Sequence, residues 1–302
     1  CTFCNIWQEE NKTRQEHSLE DVKNNLIALK KLGVKAIDFT GGEPLLYPHI
    51  IEVLSLAKEY GFRTILVTNG ILYPKYAHKL KGLVDALQFS FDDVDEDIHN
   101  KSRGVNCYNK VMRSIEIAKK IKQKICLIHV VTKDNITQVP KAIKFAQNHK
   151  CIIALSPCFN YFGSEGLSKN YVSEIKQYFK EKFTILDLAN LKLIANRGND
   201  INNPVCKAVS STVVISPDNY LLLPCYHHHV KKIKIENNLV EIYSSAIVNE
   251  IKKKVGKYDF CKNCTINCYM RTPLLRTFKN NYFFLSLLTV YNYIRERFRK
   301  QY

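Results

Sequence analysis

Two short motifs near the start of the chain combine residue types that bind cofactors. Cys1 and Cys4 lie three residues apart, which suits adjacent positions on one iron–sulfur cluster or one zinc ion. The second motif, Gly41-Gly42-Glu43-Pro44, follows a β-branched and aromatic run. Such a turn lets the backbone approach a small ligand closely. Each motif alone is a weak signal, so the interpretation depends on their combination.

In this order and spacing, the motifs resemble those of the radical S-adenosylmethionine (SAM) enzymes. That family has a cluster loop of the form Cys-x3-Cys-x-aromatic-Cys, and its second strand ends in Gly-Gly-Glu-Pro. Cys1 and Cys4 match the second and third cysteines, and Phe3 matches the aromatic residue. The resemblance puts the first cysteine four residues before Cys1. We therefore expect that the sequence lacks part of the N-terminus.

The resemblance implies a [4Fe–4S] cluster and SAM as cofactors. Three thiolates hold three irons, and the open fourth iron chelates SAM. Reductive cleavage of SAM then gives methionine and a 5′-deoxyadenosyl radical, which takes hydrogen from the substrate. By resemblance, the backbone carbonyls of Gly41, Gly42, Glu43 and Pro44 hold the methionine amino group. The alternatives are a zinc knuckle at the cysteines and an ordinary tight turn at the glycines.

Two later segments resemble other SAM-contacting parts of the family. Asn69 ends the strand-like run Val67-Thr68-Asn69-Gly70, where it either hydrogen-bonds SAM or shapes the turn. Ser90 and Arg103 match a serine and an arginine that contact the SAM carboxylate or ribose, and a guanidinium can grip a carboxylate with two hydrogen bonds. The alternative for Arg103 is a surface ion pair with Asp95 or Asp97.

Five cysteines near the C-terminus resemble the twitch or SPASM extension of radical SAM enzymes. They are Cys206, Cys225, Cys261, Cys264 and Cys268. A β-hairpin is predicted between the first two, with strands at Thr212–Ile215 and Tyr220–Leu223. The resemblance implies one auxiliary [4Fe–4S] cluster with one spare thiol, and Cys268 is the least certain ligand. A structural zinc site is the alternative, because thiolate spacing does not choose the metal.

The elements between these motifs alternate between strand-like and helix-like patterns. The predicted strands are Lys35–Gly41, Thr64–Gly70, Ala86–Asp92, Ile125–Val131 and Ile152–Pro157. The first predicted helix, Leu19–Lys31, follows Ser18, which lies three residues before Asp21 in an N-cap pattern. This alternation predicts a parallel α/β fold. The family has one more strand before the cluster loop. With that strand, the resemblance implies a partial (β/α)6 TIM-like barrel with a small C-terminal iron–sulfur extension.

The chain divides by pattern into three parts. Residues 1–200 are predicted to be the radical SAM core, and residues 201–272 the auxiliary-cluster domain. Residues 273–302 form an aromatic and basic tail whose apolar run is too short to span a bilayer. We expect the tail helix to pack on the barrel; alternatively it lies on an anionic membrane surface. The run His227-His228-His229 is expected to be exposed to solvent.

Composition limits the compartment and the partners. The chain has 302 residues and 11 cysteines, and its Cys-x2-Cys pairs favour metal thiolates in a reducing compartment, the cytoplasm, over secreted disulfides. The net charge of +17 suits an acidic partner or, as we prefer, lysines on solvated helix faces. Without a recognisable nucleic-acid module, no specific nucleic-acid binding is expected.

The predicted function is a radical SAM enzyme that abstracts hydrogen from a peptide or protein side chain. An electron donor such as flavodoxin or ferredoxin would be a partner, and the auxiliary cluster would bind substrate or relay an electron. The alternative is a radical SAM enzyme of small-molecule, cofactor or lipid biosynthesis. The C-terminal cysteine spacing differs from that of the molybdenum-cofactor enzyme. A further alternative is a non-catalytic metal-binding or nucleic-acid-associated protein.

Overall fold

The protein is built around one open sheet of six parallel strands. The computed structural model describes residues 1–2, 16–159 and 166–299. The strands run in chain order across the sheet, each parallel to its neighbour. They are β1 (Ala36–Phe39), β2 (Arg63–Thr68), β3 (Ala86–Ser90), β4 (Ile125–Val131), β5 (Ile152–Pro157) and β6 (Thr184–Leu186). This confirms the predicted α/β class with a sheet that does not close into a barrel.

The sixth strand of the described chain was not predicted. Five strands were expected after the cluster loop, and the structure has one more in this part of the chain, β6, which follows β5. It has only three residues, Thr184–Leu186, and so gives too short an apolar run to detect by alternation. The five predicted strands are all present, with bounds that differ by a few residues.

Helices precede, connect and follow the strands, and most of those that connect them contribute buried residues to the main core on one face of the sheet. They are α1 (Leu19–Lys31), α2 (Ile50–Glu59), α3 (Tyr73–Leu80), α4 (Glu96–Arg103), α5 (Tyr108–Lys120), α6 (Val139–His149), α7 (Val172–Lys176), α8 (Leu188–Ala195), α9 (Ala208–Ser211), α10 (Leu239–Ser244), α11 (Ala246–Lys254), α12 (Arg271–Leu274) and α13 (Tyr282–Arg297). The predicted cap of α1 is confirmed, because the Ser18 hydroxyl accepts a hydrogen bond from the Asp21 backbone N–H at 3.0 Å.

The two faces of the sheet differ in burial. Alternate strand residues, such as Leu66, Phe89 and Leu127, are fully buried in the main core with residues of the covering helices. The residues between them, such as Val67 and Gln88, are only partly buried. Because successive side chains of a strand point to opposite faces, these partly buried residues share the uncovered inner face of the sheet.

The C-terminal part contains a second, antiparallel sheet. Here β7 (Tyr220–Pro224) pairs with β8 (His229–Lys234). The predicted pairing with Thr212–Ile215 is present in part: Ile215 forms an antiparallel bridge with Leu221, and the Leu222 backbone N–H donates to the Val214 carbonyl at 3.0 Å. The pairing with β8 was not predicted, because the exposed lysines of β8 hide its strand pattern. The predicted turn at Asn219 is confirmed by its positive φ of 64°.

A second apolar core joins the C-terminal part to the barrel. It contains Leu26 and Leu29 from α1 together with Leu221, Leu223 and other buried residues of the extension. The side-chain amide of Asn25 also donates to Asn219 Oδ1 at 2.8 Å, and both residues are buried. The extension therefore packs against the helices next to β1 and β2.

Candidate active site and cysteine cavity

The Gly41–Pro44 segment leaves the end of β1 with its backbone open on one side. Gly41 has a φ of +126°, a conformation that residues with a Cβ rarely adopt. A Cβ built at Gly41 or Gly42 would meet no atom within 4 Å, and both residues are exposed. The loop thus offers bare backbone to a ligand at the carboxyl end of a parallel strand, where α/β proteins place their chemistry.

The carboxylate of Glu43 ties this loop to the end of β2. Its Oε1 accepts hydrogen bonds from the Leu45 backbone N–H at 3.1 Å and from the Thr68 hydroxyl at 2.7 Å. Its Oε2 accepts from the backbone N–H of Asn69 at 2.8 Å. Both oxygens of Glu43 are therefore used within the protein, and this side chain positions two ligand-facing loops.

Asn69 shapes the turn that follows β2. Its Oδ1 accepts a hydrogen bond from the Ile71 backbone N–H at 2.9 Å, and Gly70 has a φ of +78°. This is the turn-forming alternative considered from the sequence. The side chain is partly exposed beside the Gly41–Gly42 loop, so turn formation leaves its amide group available for a further contact.

Ser90 and Arg103 were predicted to contact the same cofactor, but the structure gives them different surroundings. Ser90 is the last residue of β3 and belongs to the partly buried inner face. Arg103 is neither free nor paired with Asp95 or Asp97. Its Nη2 donates to Asp92 Oδ1 at 2.9 Å, and its Nε lies 2.8 Å from Asp92 Oδ2 without hydrogen-bond alignment.

The ion pair between Arg103 and Asp92 is buried, with side-chain exposures of 11% and 2%. Asp92 also accepts a hydrogen bond from the Ser102 hydroxyl at 2.9 Å. The remaining Nη1 of Arg103 points to Cys1 and lies 3.4 Å from its sulfur. The buried pair thus connects the end of β3 to the first predicted cluster ligand.

Cys1 is exposed and lies against the end of α4. The backbone N–H of Thr2 donates to the Ser102 carbonyl at 2.9 Å, which fixes the start of the chain there. Cys4, the other predicted ligand of this cluster, lies outside the described residues. The site is thus defined by Cys1, Arg103, Ser90 and the loop from Gly41 to Pro44.

A separate cavity in the C-terminal part is lined by four of the five predicted auxiliary ligands. They are Cys206, Cys225, Cys261 and Cys264. The cavity is small, with a volume of about 30 Å³, and its other walls are mainly apolar. Burial raises the pKa of the Cys206 and Cys264 thiols to about 12 and that of Cys225 to about 11. These are therefore enclosed thiols and not exposed reactive ones.

Among the described residues, the four thiols do not converge on one position for a single metal ion. In the described part of the chain, no three His, Cys, Asp or Glu side chains converge closely enough to hold a single metal ion. A zinc ion needs ligands at about 2.0–2.3 Å, whereas a cluster places its thiolates around several irons. The backbone N–H of His228 donates to the sulfur of Cys225 at 3.4 Å.

Cys268 does not line the cavity, in agreement with its lower rank among the predicted ligands. The residue is exposed as a whole, yet burial of its sulfur raises the pKa of the thiol, and its electrostatic neighbours include Arg271 and Asp38. Asp38 lies on the uncovered inner face of β1 and is accessible to solvent. Protein nonetheless surrounds most of the carboxyl, and this desolvation raises the pKa of Asp38 to about 6, against the opposing charge of Arg271.

Asn199, which sequence reasoning missed, holds the cavity together. Its Nδ2 donates to the carbonyls of Gly256 at 2.8 Å and Cys261 at 3.1 Å, and its Oδ1 accepts from the Val205 backbone at 3.1 Å. Its backbone N–H donates to the Cys264 carbonyl at 2.9 Å. The residue is 2% exposed. One buried amide thus joins the segments that carry three of the four thiols.

Two glycines allow these segments to approach one another. A Cβ at Gly198 would lie 2.3 Å from the Asn263 carbonyl oxygen, and Gly198 has a φ of +82°. A Cβ at Gly256 would lie 2.6 Å from Pro204 Cβ. Neither glycine stands in a motif that identifies it from sequence; Gly198 lies eight residues before Cys206, and Gly256 lies five residues before Cys261.

The histidine run beside Cys225 was expected to be exposed, and this was wrong. All three histidines are partly buried, and His228 lines the cavity and stacks on Phe260 with ring centroids 5.1 Å apart. Burial lowers the pKa of His227 to about 4. The reversal of the chain between β7 and β8 turns these side chains towards the protein.

The fold and the site together define a class of protein. It has an open parallel α/β barrel, with a glycine loop at the carboxyl edge of the sheet and a cysteine beside that loop. A family model described as the radical SAM superfamily matches residues 1–146. Residues 1–146, just under half of the chain, thus carry a radical SAM domain. Membership of this superfamily implies a [4Fe–4S] cluster and SAM as cofactors.

Two curated relatives are similar to the chain. A probable GTP 3′,8-cyclase of Sulfolobus acidocaldarius is 26% identical over 273 residues, which cover 84% of this chain and 85% of that protein. A probable GTP 3′,8-cyclase of Saccharolobus solfataricus is 32% identical over 152 residues, and this match spans about half of each chain, 49% of both.

Among solved structures, the chain resembles anSMEcpe with bound AdoMet and Cp18Cys peptide. The TM-score is 0.62 at 19% identity, and the match covers 98% of this chain and 93% of that chain. At this identity the similarity shows the fold alone. It extends beyond residues 1–146 and therefore includes the C-terminal part.

Proposed function

We propose that this radical SAM enzyme acts on an anionic small molecule, in the biosynthesis of a cofactor or a similar compound. This reverses the order of the two predictions from sequence, which ranked a peptide substrate first. The similarity to a probable GTP 3′,8-cyclase along 84% of the chain supports a small-molecule substrate. The fold shared with a peptide-bound enzyme carries no information about the substrate at 19% identity.

The observation that carries the proposal is the position of Arg271. Its side chain is 67% exposed, and its Nε lies 3.2 Å from Asp187 Oδ2. Its charge acts on both Asp38, on the inner face, and Cys268, beside the cysteine cavity. A guanidinium held by one carboxylate at Nε keeps its outer N–H groups for an anion such as a phosphate.

The residues near Cys1 fit the SAM-binding cluster. Cys1 and Cys4 would ligate it, and when bound the cluster with SAM supplies a carbon-centred radical that abstracts hydrogen. Gly41, Gly42 and Pro44 would bind SAM by their backbone, with Asn69 and Ser90 beside them. Glu43 holds the loop, and Arg103 acts as a positioning residue because Asp92 occupies its guanidinium.

The cysteine cavity fits an auxiliary [4Fe–4S] cluster. Cys206, Cys225, Cys261 and Cys264 would be its ligands, so that every iron has a protein thiolate. Cys268 would remain a free thiol on the substrate side. With all irons ligated, the auxiliary cluster would relay an electron, and an external donor such as flavodoxin or ferredoxin would supply electrons. Of the five C-terminal cysteines predicted as ligands, only Cys268 changes role in this proposal, from a cluster ligand to a free thiol.

The test compares 5′-deoxyadenosine release by the reconstituted full-length protein with SAM, reductant and a panel of compounds. GTP, other nucleotides, sugar phosphates and an unstructured peptide mixture are added separately. We expect an anionic small molecule to stimulate release, and Arg271→Gln to abolish the stimulation but keep basal SAM cleavage. Arg113→Gln, which removes an exposed charge on α5, is the matched control. Stimulation by the peptide mixture alone would favour the peptide-modifying alternative instead.

A further inference from the structure

The tail helix α13 uses its polar side chains to cap the free edge of the main sheet. Asn292 donates to the Thr184 carbonyl at 3.1 Å and accepts from the Leu186 backbone N–H at 3.2 Å, as a neighbouring strand would. One turn before it, Thr289 accepts from the Leu188 N–H at 3.0 Å. An uncovered edge strand is a site for unwanted pairing, so α13 is a structural part of the barrel.

Glu296 extends this capping by one further turn. Its Oε2 accepts from the Phe183 backbone N–H at 2.7 Å, and the carboxylate is fully buried between Arg295 and Arg299. Asn292 is also fully buried, and Ser286 is 4% exposed. The polar residues of α13 thus face the protein, which confirms that the tail packs on the barrel.

The opposite side of α13 is apolar and faces solvent. Phe284 is 59% exposed, Leu288 46% and Tyr291 61%, and Phe298 beyond the helix is 79% exposed. Spacings of three and four residues put them in one stripe along the helix. Most exposed large apolar side chains of the described chain belong to this tail, because Phe278, Leu287, Val290 and Ile294 are exposed too. The helix is therefore amphipathic, but its polar side faces the protein and its apolar side faces solvent, which is the reverse of an ordinary surface helix.

Within the tail, the exposed charges beside this apolar stripe are of one sign, and the neighbouring Asp85 is paired with Lys58. Arg276 and Lys279 are exposed before the helix, and Arg297 and Arg299 are partly exposed at its end. Between residues 273 and 299 the one acidic residue is Glu296, which is buried. A second copy of the chain would bring these basic groups against each other in either orientation, and each copy carries a net charge of +17. An anionic surface with an apolar layer beneath it would bury the apolar stripe and attract the basic groups.

We propose that α13 binds the protein peripherally to an anionic membrane, with the apolar stripe in the headgroup region. A helix of 16 residues is about 24 Å long, which suits a helix lying in the plane of the interface. None of the described helices is long and apolar enough to cross a bilayer. The apolar stripe and the flanking basic groups together supply the two contributions that such binding needs.

This orientation keeps the membrane away from the SAM-binding site. The C-terminal half of α13 contacts the amino ends of the strands: Arg63 at the start of β2 donates to the Tyr293 hydroxyl, and Lys124 before β4 donates to the Arg297 carbonyl at 3.2 Å. The glycine loop and Ser90 lie at the carboxyl ends. The proposed membrane contact therefore leaves the uncovered inner face open to a substrate from solution.

The experiment measures flotation of the purified full-length protein with two kinds of vesicle. One contains phosphatidylcholine alone, and the other also contains 30% phosphatidylglycerol, which gives a negative surface charge roughly like that of a cellular membrane. We expect binding to the anionic vesicles that falls with added salt. Leu288→Gln with Tyr291→Gln should lower the partition constant roughly ten-fold. Ile247→Gln with Val230→Gln, at similarly exposed positions on α11 and β8, should have no effect.

A second pair of variants separates charge from apolar contact. Arg276→Gln with Lys279→Gln should weaken binding to anionic vesicles, whereas Lys231→Gln with Lys232→Gln, exposed on β8, should not. Equal binding to both vesicle types, no binding, or no effect of the stripe variant would overturn the proposal. A dimer in light scattering that the stripe variant dissociates would assign the stripe to a second copy instead. Thermal melting of each variant checks its fold.

Discussion

The Glu43 carboxylate accepts a hydrogen bond from the backbone N–H of Asn69 at 2.8 Å, and so joins the loops after two adjacent strands. The other oxygen of Glu43 accepts from Leu45 and Thr68. All three partners donate hydrogen bonds to Glu43, so this position requires a side chain whose polar atoms only accept hydrogen bonds. A carboxylate meets that requirement, and a carboxamide does not.

We therefore expect Glu43→Gln to disturb both loops. In either orientation the new NH₂ group faces a backbone N–H, of Asn69 or of Leu45, and a charge-assisted bond is lost. The expected cost is about 1.5–3 kcal/mol of folding free energy, with weaker SAM binding in calorimetry. Glu52→Gln, on the exposed side of α2, is the control and should change neither value. SAM affinity equal to wild type in Glu43→Gln would show that the link does not position the cofactor loop.

The Arg103–Asp92 pair predicts a strong loss of stability when one partner is removed. Arg103→Ala leaves a carboxylate with 2% exposure facing no cation, which should cost roughly 3–5 kcal/mol. Asp92→Asn with Arg103→Ala should recover part of that loss. The measurement is a double-mutant cycle in urea unfolding. Additive single effects would contradict a direct buried pair, and an unchanged fold with weaker SAM binding would restore a direct contact of Arg103 with SAM.

The sequence predicted the parts of the site that lie in short, contiguous motifs. Gly41 to Pro44, Asn69 and Ser90 each end a strand with a recognisable apolar pattern, and parallel strands bring their carboxyl ends to one edge. The partner of Arg103 was not predictable in this way. The partners considered from the sequence were Asp95 and Asp97, but Asp95 caps α4, and the pairing with Asp92 depends on how that helix folds back on β3.

The residues that hold the cysteine cavity together were even harder to predict from the sequence. Asn199 and Gly198 act through backbone carbonyls of residues about sixty positions away, and no local pattern records such contacts. The spare thiol illustrates the same limit. Spacing alone ranked Cys268 last without excluding it; in the structure it lies next to Arg271 and does not line the cavity, although it is still near enough to act electrostatically on Cys225 and Cys264.

Gly198 gives a test of the close approach at the cavity. Gly198→Ala brings a Cβ to 2.3 Å from the Asn263 carbonyl oxygen, and this backbone cannot move without moving Cys264. Gly33→Ala is the matched control, with a φ of +80° but no atom within 4 Å. Both should lose about 1–2 kcal/mol through the positive φ. We expect only Gly198→Ala to lose more and to bind less iron, as measured by unfolding and metal analysis. Equal losses would mean that the loop relaxes freely.

Asp38 predicts a pH dependence of stability with a definite sign. Desolvation raises the pKa of its carboxyl in the folded protein to about 6, above the unfolded value of about 3.9. The neutral acid is favoured in the folded state, so this stabilisation is complete below pH 4 and is lost as the pH rises through 6. Asp38→Asn should therefore melt like wild type near pH 4 and at a higher temperature than wild type at pH 8. Asp134→Asn, at an exposed position, should show no such divergence.

The cavity predicts which cysteines bind iron. With two [4Fe–4S] clusters, the anaerobically reconstituted full-length protein should hold about eight irons. Cys225→Ala removes a thiol that lines the cavity and should reduce the content towards about four, with the spectrum of the SAM-binding cluster unchanged. Cys268→Ala is the matched control, since its thiol lies outside the cavity wall, and it should keep all the iron. Wild-type protein that holds tightly bound zinc beside a single cluster would instead support the structural-zinc alternative. If Cys268→Ala loses iron while Cys225→Ala keeps it, the assignment of the four ligands is wrong, because the spare thiol would then be a ligand.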